Sequence, residues 1–139
     1  MNTEPLHVVY VSRLAPGESC AAFSAICRWA RLRNLERGIS GVLLFDGERF
    51  LQWLHGGHDE VLRLMAAIAA DPRHAAVRVL LQAPLPAAAT DPRWRAGFVD
   101  AEALDTFIAL AAADRDAMLD GLTRLVAQAD LDPVQPSAA

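Results

Sequence analysis

The stretch ISGVLLFDGERFLQWLHGG, residues 39–57, decides the fold. Asp46-Gly47 tolerates the positive φ of a tight turn, so Ile39 to Phe45 and Arg49 to Leu54 form the arms of an expected β-hairpin. A hairpin with one wet face alternates apolar and polar residues, whereas these arms are apolar on both faces. Something must therefore cover each side of the sheet. Gln52 breaks the pattern: an amide in the middle of a buried strand offers two donors and an acceptor, and each needs a partner.

Upstream, His7 to Val11 is β-branched and aromatic and predicts a first strand, with Val8, Tyr10 and Ser12 on one face and Val9 and Val11 on the other. Pro16 and Gly17 end it. Cys20, Phe23, Cys27 and Ala30, flanked by Ile26, make the inward stripe of a helix over Ser19 to Asn34, and Gly38 is its stop. Downstream, Gly56 and Gly57 close the hairpin. Val61, Leu64, Met65 and Ile68 form one stripe of a second helix, which Pro72 ends. Val77 to Leu81 predicts a fourth strand, APLPAAATDP a proline-punctuated connection, and Trp94 to Val99 a short fifth strand. Two helices are expected at Ala101 to Ala112 and Asp114 to Ala129, the second with Met118, Leu122 and Leu125 on one stripe, before a frayed tail. The order β-α-β-β-α-β is that of the α+β ferredoxin-like split arrangement, with two helices on one face of the sheet. The extra strand extends that sheet, and the C-terminal helices then cover its other face, which accounts for the doubly apolar hairpin.

A chain of 139 residues suits one core. All 13 basic residues are arginines, outnumbered by 17 acidic ones and scattered without a stripe, which argues against a nucleic-acid surface. No apolar run reaches membrane-span length and no secretory leader is evident, so a cytoplasmic protein is expected. Cys20 and Cys27 stand about 10 Å apart along a helix, too far for a disulfide, and read as two buried thiols. His58, Asp59 and Glu60 open a helix and do not share a face, so they complement its dipole rather than hold a metal. His7 has no evident partner and is expected to be exposed; Trp53 is expected against the C-terminal helices. Ser12 lacks the glycine elbow or triad of a nucleophile.

If the first and third strands are neighbours, Tyr10 and Gln52 meet, and a hydroxyl and an amide satisfy one another well. The pair alone still leaves amide groups unpaired, at roughly 1–3 kcal/mol each, so a third polar partner is expected. Asn34 reads singly as a helix C-terminal residue tolerant of left-handed geometry. Together the three suggest a cleft between the two helices and the sheet, suited to a planar heteroaromatic ligand with carbonyls and ring nitrogens.

The stretches VVYVSRLA, RNLERGISGVLLFDGERFLQWLHGG, ADPRHAAVRVLL and PRWRAGF, from about His7 to Val99, resemble the BLUF family, blue-light sensors that use FAD. The resemblance implies a flavin-binding domain over residues 1–100, a C-terminal helical cap over 101–130 and a flexible tail over 131–139. It implies non-covalent FAD between the first two helices, with Tyr10 as the photoactive tyrosine, Gln52 as the switching glutamine, Trp94 as the switching tryptophan and Asn34 on the polar edge of the ring. Asp71, Arg73 and His74 match the element beside the ring and its phosphate tail, and Ile26 and Ile68 the aliphatic residues that sandwich it. In that family light drives electron and proton transfer from tyrosine to flavin, and recombination leaves the glutamine amide rearranged and the absorption red-shifted.

Three positions depart from the pattern. Ala96 stands where the family usually has methionine, and a methyl neither accepts a hydrogen bond nor fills that space. His55 replaces a glutamate and is expected at the surface near the strand end; Ala67 replaces a cofactor-contacting arginine or histidine. The expected protein is a non-enzymatic photoreceptor that signals through a partner protein or a homo-oligomer, with apolar surface on the C-terminal helices favouring assembly. The rival readings are a flavin-free ferredoxin-like interaction module and, less well supplied with acid–base groups, a flavin enzyme.

Overall fold

The computed structural model describes residues 1–84 and 93–131. In chain order the elements are β1 (Pro5–Leu14), α1 (Ala21–Arg37), β2 (Ser40–Phe45), β3 (Arg49–Gly57), α2 (His58–Ala70), β4 (His74–Pro84), β5 (Trp94–Phe98), α3 (Ala101–Ala113), α4 (Met118–Gln128) and β6 (Asp130–Leu131). The six strands form one sheet in the order β4-β1-β3-β2-β5-β6, with β5 parallel to β2 and the other pairs antiparallel. This is the expected ferredoxin-like α+β arrangement with its extra strand. Most of the expected APLPAAATDP connection and all but the first residue of the expected tail lie outside the described residues. That first residue, Leu131, is not tail: it pairs with Gly97 in the sheet.

Alternation along the strands divides the core into two layers, because successive side chains point to opposite faces. Val9, Val11, Val42, Leu44 and Leu51 face one way and pack with Leu104 and Phe107 of α3 and Met118, Leu122 and Leu125 of α4. Trp53 joins this layer, as expected. The opposite face carries two separate clusters. One joins Leu6, Val8, Tyr10 and Leu54 to Val61, Leu64 and Ile68 of α2. The other joins Leu43, Phe45, Phe50 and Ala96 to Phe23, Ile26 and Cys27 of α1. The doubly apolar hairpin is thus covered by α1 and α2 on one side and α3 and α4 on the other.

Local signals explain most element ends. Gly38, at φ 67°, caps α1 in the left-handed conformation and donates its N–H to the carbonyls of Asn34 and Leu35. Asp100 caps α3 by accepting from the Ala103 N–H at 2.7 Å. Gly41 lets β2 approach β3 closely: a Cβ there would run into the Trp53 carbonyl oxygen.

Several expectations are corrected. Helix α1 starts at Ala21 and runs to Arg37, so Cys20 lies before it and is exposed rather than buried. Asn34 is not the left-handed terminal residue; it sits a turn inside the helix, and Gly38 takes that role. His7 is buried, not exposed, and its Nδ1 accepts from the Trp53 indole N–H at 3.2 Å. His55 is likewise buried, with Nδ1 2.6 Å from Ser40 Oγ. Among the described residues, large exposed apolar side chains are concentrated on α1 rather than on the C-terminal helices.

Candidate functional site

The register between β1 and β3 sets Tyr10 directly opposite Gln52, on the face covered by α1 and α2. Across β3 and β2 the same row continues through Leu43 to Ala96 of β5. Gln52 Nε2 donates to the Tyr10 hydroxyl oxygen at 2.6 Å, and Gln52 Oε1 accepts from Trp94 Nε1 at 3.2 Å. An indole N–H only donates, so Trp94 fixes which end of the amide faces it: the oxygen turns to Trp94 and the NH₂ to Tyr10. The third polar partner demanded by the sequence is therefore Trp94.

Tyr10 is fully buried, and burial pushes its phenol well above the usual range, opposed by the hydrogen bond from Gln52 and assisted by the negative charge of Asp71. The hydroxyl stays protonated throughout the physiological pH range.

Asn34 tests whether these residues fit a flavin. Its side chain is 0 % exposed, and neither Oδ1 nor Nδ2 has a hydrogen-bond partner. Buried polar groups are nearly always paired, and an amide orphaned at both ends calls for a ligand that presents an acceptor and a donor side by side. The carbonyl and ring N–H edge of a flavin does so. Ile26 and Ile68 belong one each to the two clusters under α1 and α2, so they flank the seam between those clusters. The residues present fit the group.

The connection after α2 and the first residue of β4 supply a polar end to this region. Asp71 binds the Arg73 guanidinium with contacts of 3.0, 3.1 and 2.7 Å, and this pairing holds the Asp71 carboxyl below its ordinary range. His74 Nδ1 lies 2.9 Å from Ser12 Oγ, and its ring meets Tyr10 edge-on with centroids 6.4 Å apart. Burial lowers the His74 imidazole, and burial lowers His7 as well.

Those two shifts set a pH dependence. A histidine whose folded pKa is depressed contributes stability that is present above the ordinary value of 6.5 and lost as the pH falls, because the unfolded chain takes the proton first. Urea midpoints are expected to fall between about pH 7.5 and about pH 5.5, above the window in which Asp71 titrates, and a His7→Gln/His74→Gln variant flattens that slope. An unchanged slope in the variant contradicts the assignment.

The structure brings together Tyr10, Gln52 and Trp94 by hydrogen bonds, sets His74 against Tyr10 and pairs Asp71 with Arg73. Asn34 stands on α1 without a hydrogen-bond partner for its amide. One residue beyond the expected set belongs beside them. Ser12, two positions along the strand from Tyr10, holds His74; strand alternation could have found it.

A family model described as BLUF, sensors of blue-light using FAD, matches residues 6–94. Photoactivated adenylate cyclase subunit beta of Euglena gracilis is 35 % identical over 100 residues, which cover 72 % of this chain and 12 % of that protein. The blue light- and temperature-regulated antirepressor BluF of Escherichia coli (strain K12) is 33 % identical over 67 residues, 48 % of this chain and 17 % of that protein. The chain thus spans a small part of the length of these relatives. The dark-state structure of BlrB, a BLUF protein, superposes with a TM-score of 0.71 at 29 % identity, covering 91 % of this chain and 98 % of that one. The match over residues 6–94 takes in the whole Tyr10–Gln52–Trp94 chain, and the protein belongs to the BLUF family of flavin-using blue-light sensors.

Proposed function

We propose that this blue-light photoreceptor holds FAD without a covalent link in the seam between α1 and α2, and that reorientation of the Gln52 amide is the switch. The observation that carries the reading is the continuous chain from Tyr10 through Gln52 to Trp94, at 2.6 and 3.2 Å. Asn34 would hold the polar edge of the ring, Ile26 and Ile68 its faces, and Asp71, Arg73 and His74 the side toward the phosphate tail. When bound, the flavin supplies blue-light absorption and an excited ring able to take an electron and a proton from a phenol.

The rest follows from the residues of the chain. Tyr10 gives up its hydroxyl proton as it is oxidised and regains it on recombination. The passage leaves Gln52 free to change what its tip offers, by rotation, which exchanges the positions of its oxygen and NH₂, or by tautomerisation, which moves a proton from nitrogen to oxygen. After rotation the amide oxygen faces Tyr10, whose O–H can donate to it. The NH₂ faces Trp94, where donor meets donor and the hydrogen bond is lost. Only a state that interacts differently with two conformations can shift their populations, and this loss is such a difference. Trp94 lies on β5, which pairs with β6 directly after α4, so β5 and the helical cap are the proposed route outward. Ala96 leaves no thioether to take the place of Trp94.

Residues 1–100 then act as the sensing unit and 101–130 as the cap. No enzymatic part is assigned to the chain, and its output passes to a partner protein or another copy of itself. Among the described residues no helix is long and apolar enough to cross a membrane. Heat-released chromophore identified by mass tests the cofactor: FAD is expected, and FMN or no flavin contradicts it. Tyr10→Phe is expected to keep the yellow colour and lose the photocycle.

A further inference from the structure

Helix α1 is apolar on two sides. Phe23, Ile26, Cys27 and Ala30 face the sheet, while Trp29, Leu32 and Leu35 are 44 %, 67 % and 80 % exposed. On a helix of 3.6 residues per turn, Trp29 and Leu35 lie about 60° to either side of Leu32, and Arg28 and Glu36 about 40° to either side. Arg31 and Arg33 fall at the rim, their guanidiniums over the rings of Trp94 at 5.7 Å and Trp29 at 5.0 Å. An apolar stripe centred on one residue, with a cation one turn before it and an anion one turn after, is complementary to its own reverse.

We propose that a second copy of this chain docks on this face, through antiparallel packing of two α1 helices about a two-fold axis at Leu32. Antiparallel pairing about that point sets Leu32 on Leu32, Trp29 level with Leu35 of the second copy and Arg28 level with its Glu36, each twice by symmetry. Parallel pairing about a two-fold axis would set Arg28 against Arg28 and Glu36 against Glu36, so charge selects the antiparallel form. A helix of 17 residues is about 25 Å long, which makes a small interface and a concentration-dependent equilibrium between monomer and dimer. Ile26 and Asn34 lie on the opposite face of α1, so docking leaves the seam free, and the inference does not depend on what the seam binds.

Sedimentation velocity of the full, flavin-loaded chain in the dark, from about 5 to about 200 µM, tests the proposal. The mass is expected to rise from 15.0 kDa toward twice that value with concentration. Leu32→Glu places two carboxylates on the axis and yields a monomer throughout, whereas Leu119→Glu, at the exposed apolar residue of α4, leaves the dimer intact. Arg28→Glu and Glu36→Arg should each raise the dissociation constant at least about tenfold, and the double variant should return it to within about threefold of the parent. A chain that stays at 15.0 kDa, a dimer that survives Leu32→Glu, or a double variant no tighter than the single ones would overturn the proposal.

Discussion

Replacing Gln52 with leucine is expected to abolish the light-induced red shift while leaving flavin bound. Leucine keeps the apolar bulk of a buried strand position, so the pairing of β3 with β1 and β2 should persist. What disappears is the pair of contacts at the tip, the 2.6 Å donation to Tyr10 and the 3.2 Å acceptance from Trp94. The Tyr10 hydroxyl and the Trp94 N–H each lose a partner at roughly 1–3 kcal/mol, less for half-buried Trp94, which water can reach. Urea midpoints should therefore fall, but not enough to unfold a typical domain. Glutamate fails for a different reason: an ionised carboxylate only accepts, so it has no donor end to exchange. Light-minus-dark spectra of Gln52→Leu at matched flavin content should be flat at the wavelengths where the parent shifts. A variant that shifts as the parent does would remove Gln52 from the switch.

The second large effect has opposite signs in two measurements. Asn34→Leu should stabilise the flavin-free protein and weaken flavin binding. Two orphaned amide atoms, each costing roughly 1–3 kcal/mol when buried unpaired, penalise the empty chain by about 2–6 kcal/mol, and leucine removes both. A ligand that pairs those atoms gains what the empty protein lacks, so losing them should weaken binding by about 30-fold or more. Urea melts of flavin-free protein and titration of flavin fluorescence give the two numbers. An Asn34 that served only α1 would lower stability when replaced and leave binding alone.

Strand alternation and helical periodicity made most of the architecture legible. The Asp46-Gly47 turn set the hairpin, and arms that are apolar on both faces predicted cover on each side of the sheet, as found. Tyr10 and Gln52 could be paired in advance because a one-residue slip would turn either side chain to the wrong face. Two of the misreadings share a cause, which is that their partners come from other elements. His7 is held by Trp53 across the β1–β3 pair, and His55 by Ser40 across β2–β3. Neither bond leaves a local trace. Asn34 looked like a helix end because asparagine tolerates left-handed geometry, but Gly38 tolerates it better and carried α1 one turn further. Cys20 fell outside α1 and so lost the inward direction that its spacing implied. The fourth strand runs from His74 to Pro84, well beyond Val77 to Leu81, because an edge strand needs few apolar residues to pair on one side.

The central claim is tested most directly by the light-minus-dark absorption spectrum of the parent protein with its chromophore bound. The account predicts a modest red shift of the flavin band under blue light that reverses in the dark without loss of oxidised flavin. A colourless chain that does not take up the dinucleotide, or a bound flavin that bleaches or does not respond, would contradict it.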